Sequence, residues 1–150
     1  GIPQLYYGTE LWMKNFKDPN DGMVRLDFPG GFPNDEKDKR MVSGRDQTEN
    51  TAFNYVKTLA NFRKTNTALQ TGKMMQWLPS DGLYVYFRYD KGSTVMIVLN
   101  TSNKTKSVLL SNYGERTNEF KGFKDVVTGV IGANQIDLAP MESRVVLLTK

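Results

Sequence analysis

The chain has 150 residues, of which 39% are hydrophobic, 24% charged and 11% aromatic, and its formal net charge is +4. This length can bury the core of one compact domain, and the composition excludes disordered, collagen-like and transmembrane classes. The chain has neither cysteine nor histidine, which excludes disulfides, thiolate metal sites and the histidine base that usually activates a serine or cysteine nucleophile.

The first predicted element is a short buried strand over residues 2–7, IPQLYY, which ends at Gly8. Residues 11–45 are rich in Gly, Pro, Asn and Asp, and such a long irregular segment is usually functional. Within it, residues 18–22, DPNDG, alternate oxygen-bearing side chains as a calcium loop does. An EF-hand loop needs Gly where Met23 stands, so a plain turn is the favoured interpretation.

A helix is predicted to begin at Asp46, whose carboxylate can cap free backbone N–H groups while Glu49 reaches back in a capping box. Its apolar residues recur at steps of three and four, which predicts an amphipathic helix that ends before Asn66 or Thr67. These residues are Phe53, Val56, Leu59 and Ala60, with the stem of Arg63.

From Lys73 onward the period of the pattern is two, which predicts β-strands. In residues 83–89 the odd-numbered side chains face one side and the even-numbered ones the other. Further strand-like runs are residues 94–100, 107–110, 124–127, 135–138 and 144–148. About seven short strands separated by turns predict a mainly β fold, an antiparallel β-sandwich of Greek-key type. We place the domain boundary near Thr71, which gives domains 1–71 and 72–150.

The candidate functional residues each have a structural alternative. Basic and acidic residues alternate over residues 35–40, which is typical of a solvated face and not of a nucleic-acid patch. Trp77 could stack on sugar rings together with Tyr84 and Tyr86, but core and sheet packing is the favoured interpretation. Spacing alone does not identify a catalytic carboxylate pair among Glu10, Asp18, Asp21 and Asp27, so solvated carboxylates are the default.

Residues 1–10 have the sequence GIPQLYYGTE. This run resembles the Gly-x-Pro-x-x-Tyr-Tyr-Gly-x-Glu signature on the eighth barrel strand of glycoside hydrolase family 13, the α-amylase family. Residues 21–25, DGMVR, and 27–32, DFPGGF, resemble the neopullulanase and cyclomaltodextrinase branch more than secreted α-amylases. The predicted helix is similar to the last barrel helix of that family and the predicted sandwich to the domain behind it, so the resemblance spans essentially the whole chain.

The resemblance implies that residues 1–71 are the last strand, loop and helix of a truncated TIM (β/α)8 barrel, and that residues 72–150 buttress it. The family places its nucleophilic Asp, its acid/base Glu and a third Asp on earlier barrel strands. We therefore expect no catalytic residue and no hydrolysis from this chain alone. A start at Gly1 without Met also suggests a chain cut from a longer protein.

The loop after the eighth strand often carries, in that family, an Asp and an Arg that bind glucose units on the non-reducing side of the cleavage point. Asp18 and Arg25 are the candidates here, with Asp21 as an alternative to Asp18 because the spacing is longer than the compact family version. No metal or cofactor is expected for the chain, although the intact parent could bind calcium.

The expected partners are α-glucan oligosaccharides for the parent enzyme and the rest of its barrel, with no nucleic acid and no membrane. Residues 2–7 would pair with another chain, giving self-association, or fold back onto the helix. Two other functions stay open at this point, a carbohydrate-binding sandwich and a structural or self-associating domain. The sequence indicates no cellular compartment.

Overall fold

A computed structural model describes residues 2–150, which divide into two compact units, one up to Lys57 and one from Thr58 to Lys150. The helices are α1 (Gln47–Thr65), α2 (Thr67–Gln70) and α3 (Gly114–Thr117), and 3₁₀ turns cover Thr9–Leu11, Asp21–Val24, Val42–Gly44 and Leu110–Tyr113. The strands are β1 (Lys73–Gln76), β2 (Leu83–Tyr89), β3 (Thr94–Asn100), β4 (Lys106–Leu109), β5 (Gly122–Asp125), β6 (Ile131–Gly132), β7 (Gln135–Leu138) and β8 (Ser143–Thr149).

The second unit is an antiparallel sandwich of two sheets. The larger sheet has the strand order β1-β2-β3-β8-β5-β6, and the smaller sheet pairs β4 with β7. The chain passes from β3 of the larger sheet to β4 of the smaller one, returns to the larger sheet for β5 and β6, and passes again to β7 before ending in β8, which lies between β3 and β5. The predicted mainly β sandwich is confirmed, and the predicted bounds of β2, β3 and β7 are those of the structure.

The core lies between the two sheets, and the alternation of β2 explains why. Val85 and Phe87, which belong to the odd-numbered face of β2, are buried in it together with Met96 and Val98 of β3. The other core residues, from both sheets and the 3₁₀ turn after β4, are Val108, Leu110, Phe123, Ile136, Leu138, Val146 and Leu148.

The helix α1 starts as the capping pattern predicts. Asp46 Oδ1 accepts from the Glu49 backbone N–H at 2.8 Å, and Glu49 Oε2 accepts from the Asp46 backbone N–H at 2.9 Å. These two bonds satisfy donors that a helix start otherwise leaves free. The helix ends at Thr65, as predicted.

The strand predicted over residues 2–7 is wrong. No described strand or bridge includes these residues, and all six are solvent exposed. An extended segment becomes a β-strand only when neighbouring strands supply its hydrogen-bond partners, and no described segment pairs with this one. The expectation that the segment folds back onto the helix is wrong for the same reason, while pairing with another chain stays a prediction.

The predicted domains 1–71 and 72–150 also stay a prediction. The two compact units describe where contacts concentrate along the chain, which is a different property from where a domain begins.

Candidate substrate-binding loop and sandwich surface

The loop that carries Asp18 and Arg25 is organised by its own polar groups. The peptide bond between Asp18 and Pro19 is cis, and the Asn20 side chain accepts from the Gly22 backbone N–H at 2.9 Å, which caps the turn Asp21–Val24. Across the loop, Asn15 Nδ2 donates to the Met23 carbonyl at 2.7 Å. The local fold therefore follows from Asn side chains that bond the nearby backbone.

Asp18 and Arg25 are both exposed at opposite ends of this turn. No hydrogen bond or ion pair joins them among residues 2–150, and the acidic alternative Asp21 pairs with Lys17 at 3.4 Å. Both side chains are exposed and are therefore available to a ligand. Their role in substrate binding stays a prediction.

Next to this loop, Tyr7 Oη donates to the Leu26 carbonyl at 2.9 Å. The rings of Tyr6 and Tyr7 lie 4.7 Å apart, and a hydrogen bond with the Tyr6 side chain raises the pKa of Tyr7 above its ordinary value, with burial adding to it. Residues 2–7 thus touch the candidate loop through one hydroxyl, although they form no strand.

Arg45 holds the end of the irregular segment, and the sequence analysis missed it. Its side chain is 8% exposed, and its guanidinium lies 3.9 Å above the Phe53 ring. It donates to the carbonyls of Lys39 and Arg40, at 2.9 and 3.0 Å, and to Asn50 Oδ1 at 2.9 Å. A planar cation can serve several acceptors and a ring at once, and nothing in the local sequence pattern distinguishes this arginine from a surface one.

Glu49 adds an ion pair to this region. Its carboxylate pairs with Lys39 while capping Asp46, and the hydrogen bond from Lys39 lowers the pKa of Glu49 below its ordinary value of 4.5, followed by the bond from the Asp46 backbone. Both interactions favour the ionised carboxylate. The segment before α1 is therefore fixed to the helix start by charge.

The first unit has little core and much exposed apolar surface. Its buried apolar residues are Leu11 and Ala52, whereas fourteen of the sixteen buried apolar residues described lie in the second unit. Twelve of the twenty exposed large hydrophobic residues lie within residues 2–42: Ile2, Leu5, Tyr6, Tyr7, Trp12, Phe16, Met23, Val24, Leu26, Phe32, Met41 and Val42. We call these twelve residues the apolar surface. These residues are the candidates for an interaction surface in the first unit.

Trp77 is half-buried and lies in the sandwich. Its ring meets Phe87 edge-on at 5.3 Å and Tyr113 edge-on at 5.1 Å, and it packs against the core. Core packing, the favoured interpretation of this residue, is what the structure shows for it. A sugar-binding role for Trp77 stays a prediction.

Tyr84 and Tyr86 lie on the other face of β2, with their rings 5.4 Å apart and stacked. The Tyr84 hydroxyl bonds the Gln76 side chain, and burial raises the pKa of Tyr86. Tyr86 also lines a groove of about 370 Å³ with apolar residues such as Leu59 and Ile97. The two tyrosines thus belong to the outer face of the larger sheet and are separated from Trp77 by that sheet.

Within residues 2–150, no group of three or more acidic side chains is arranged to hold a metal ion. None of the described helices combines the length and apolar character that crossing a membrane requires.

Comparison with known families gives the sandwich an identity. Residues 74–147 match the model described as the cyclo-malto-dextrinase C-terminal domain. The matched segment runs from β1 into β8 and so covers the sandwich just described. This sandwich is a C-terminal domain of the α-amylase family of glycoside hydrolases.

Curated relatives of this α-amylase-family domain extend the similarity towards the start of the chain. A cyclomaltodextrin glucanotransferase of Paenibacillus macerans is 35% identical over 106 residues, which is 70% of this chain and 12% of that protein. An α-amylase of Niallia circulans is 30% identical over 138 residues, which is 91% of this chain and 22% of that protein. The chain therefore spans less than a quarter of the length of either relative.

The fold of the α-amylase-family domain is also found among solved structures. An α-amylase from Geobacillus thermoleovorans, solved in complex with acarbose, superposes with a TM-score of 0.70 at 21% identity and covers 100% of this chain and 30% of that protein. At this identity the similarity establishes the fold alone.

Proposed function

We propose that this chain acts as the C-terminal part of an α-glucan-hydrolysing glycosidase of the neopullulanase and cyclomaltodextrinase branch. In this proposal the sandwich supports the catalytic barrel, and residues 2–45 contribute the loop beside the substrate. Support for the branch comes from the DFPGGF run at residues 27–32 and from the description of the matched family model. The chain itself would carry no catalytic residue.

The observation that carries the proposal is the apolar surface of residues 2–42. Full burial of one large apolar side chain is worth about 1.5–3 kcal/mol, and a unit with two buried apolar residues has nowhere of its own to place twelve more. A matching apolar face on a larger protein would remove this exposure. The curated relatives are several times longer than this chain.

A chimaera tests the proposal directly. The chain replaces the aligned 138-residue segment of the Niallia circulans α-amylase, and release of reducing sugar from maltoheptaose is measured. We expect activity well above that of the amylase lacking the segment, because the chain would complete the barrel and bury its apolar surface. Activity no higher than that of the shortened amylase would contradict the proposal, as would hydrolysis by this chain alone.

The apolar surface supplies test variants for this chimaera, and an exposed residue of the sandwich supplies their matched control. Replacing Leu5 and Phe32, which are 61% and 57% exposed, by serine should lower chimaera activity and stability together. Replacing Leu78, which is 93% exposed and lies on the sandwich, by serine should change neither. Equal effects of the two replacements would show that residues 2–42 are not the interface.

The same chimaera tests the predicted substrate-binding residues. Asp18→Asn and Arg25→Met remove a charged hydrogen-bond partner without deleting the side chain, and each should lower kcat/KM by about tenfold or more if it holds a glucose unit. Asp21→Asn decides whether Asp21 takes the place of Asp18. Unchanged kcat/KM in all three would remove the loop from the substrate site.

A further inference from the structure

A cavity in the sandwich is lined by none of the candidate loop residues and has no role so far. It has a volume of about 430 Å³ and lies between the turn from β2 to β3 and the helix α3. Its walls are residues 89–94, 114–116 and 118–120, together with Lys150. A cavity of this size is within the range of small-molecule sites.

Arg116 is the central group of this cavity. Its guanidinium carbon lies 4.3 Å above the Tyr89 ring, and that ring in turn packs against the core. Stacking of this kind holds a planar cation in place before any ligand arrives. The stacking therefore positions Arg116 without engaging its N–H donors.

The donors of Arg116 are not used by the part of the chain that the structure describes. Its Nε atom is shielded from solvent and has no hydrogen-bond partner there, and no ion pair joins it to Glu115 or Glu119. A shielded donor without an acceptor costs about 1–3 kcal/mol. The terminal guanidinium nitrogens of Arg116 form no ion pair within residues 2–150, and they are the donors that a ligand with acceptor oxygens would use.

The charges around the cavity decide which kind of ligand fits. The lining side chains carry three positive charges, on Lys91, Arg116 and Lys150, and three negative charges, on Asp90, Glu115 and Glu119. The formal charges cancel, so the cavity offers no net attraction to an anion. It offers both donors and acceptors beside the Phe120 ring, whereas the Tyr89 ring is already covered by Arg116 and the core.

Asp90 forms part of the wall and not of the binding groups. It accepts hydrogen bonds from the backbone N–H groups of Gly92 and Ser93, at 2.8 and 2.9 Å, and from the Thr67 hydroxyl. The bond from Thr67 is the main reason that the pKa of Asp90 lies below its ordinary value. Its oxygens are engaged, which leaves Glu115, Glu119 and Asn118 as the free acceptors.

We propose that the cavity between the β2–β3 turn and α3 binds a neutral polyhydroxylated ligand, one end of a saccharide, through Arg116 and Asn118. Sugar hydroxyls are both donors and acceptors, they carry no charge, and the apolar faces of sugar rings suit aromatic side chains. This cavity would be a second saccharide site, separate from the loop of Asp18 and Arg25. The choice of an α-linked saccharide as the probe rests on the proposed function, whereas the cavity argument does not.

The test is a titration of the 150-residue chain with maltotriose up to about 10 mM, followed by amide NMR shifts. We expect saturable shifts concentrated at residues 89–94 and 114–120. Arg116→Met, which replaces the guanidinium over Tyr89 by an uncharged side chain without N–H donors, should weaken binding about tenfold or more. Arg40→Met, an equal loss of charge at an exposed arginine paired with Asp38, should leave the affinity unchanged.

Asn118→Ala is the second variant, because it leaves the stack of Arg116 on Tyr89 in place, and thermal unfolding of each variant confirms that it is folded. The proposal would be overturned if maltotriose caused no saturable shifts or shifted only other residues. Equal affinity in Arg116→Met, Asn118→Ala and the unaltered chain would also overturn it. Inorganic phosphate shifting these amides where maltotriose does not would also overturn it, in favour of an anion site. An active chimaera without maltotriose binding by the chain would sink this inference and leave the proposed function standing.

Discussion

Phe87 gives the sharpest prediction about the sandwich, because this core side chain also contacts Trp77, whose fluorescence can be measured. It is 0% exposed, and it contacts Trp77 at 5.3 Å and Tyr113 at 6.1 Å between ring centres. Replacement of a buried Phe by Ala typically costs 3–5 kcal/mol, through lost transfer energy and the cavity left behind. We therefore expect Phe87→Ala to lower the free energy of unfolding by about 4 kcal/mol.

The size of the second unit converts this energy into a temperature. The unit from Thr58 to Lys150 has 93 residues, since 150 minus 57 is 93. For a domain of this size each kcal/mol shifts the Tm by about 4–8 °C, so the expected fall is about 16–32 °C.

Far-UV circular dichroism measures the Tm, and fluorescence measures the packing around Trp77. The chain has two tryptophans, so the variant is made in a Trp12→Phe background that leaves Trp77 as the sole reporter. Trp77 emission should move to longer wavelength as the ring loses its packing partner. Leu78→Ala, at a residue 93% exposed, should change stability by less than about 0.5 kcal/mol. If Phe87→Ala lowered the Tm by less than about 5 °C, the described core would be refuted.

The remaining predictions concern two carboxylates. Because the pKa of Glu49 is lowered in the folded chain, its contribution is complete above the ordinary value of 4.5 and is lost as the pH falls through the folded value. Glu49→Gln should therefore lower the local stability at the start of α1 by about 0.5–1 kcal/mol at pH 7, which would be measured as faster hydrogen exchange there. The difference from the unaltered chain should vanish in acid. A difference that grew in acid would contradict the direction of the pKa shift. Asp125 is 3% exposed and accepts from the backbone N–H groups of Val127 and Thr128 while pairing with Arg144 at 3.3 Å. Asp125→Ala should cost about 2–4 kcal/mol in urea denaturation and Asp125→Asn less, because Asn keeps one acceptor; equal losses would show that the turn does not depend on that acceptor.

The sequence by itself determined the elements whose causes are local. The capping box of Asp46 and Glu49 depends on a spacing of three residues, and the division of β2 into two faces depends on alternation along seven residues. Both causes are contained in a short stretch of chain, and both predictions are confirmed. The family resemblance also followed from residues read in order, and the match over residues 74–147 agrees with it.

Only the tertiary structure decided which residues meet across long sequence separations. The apolar run of residues 2–7 has the composition of a buried strand, yet it forms none, because a strand depends on partner strands that local composition does not supply. For Trp77 the sequence favoured core packing over a sugar platform, and only the structure showed that Phe87 and Tyr113 are the rings it packs against. Arg116 carried no sequence signal at all: its unpaired donor and its place over Tyr89 arise from contact across 27 residues of chain, since 116 minus 89 is 27. Local spacing determines helix caps and strand faces, whereas burial and pairing depend on which distant segments come together.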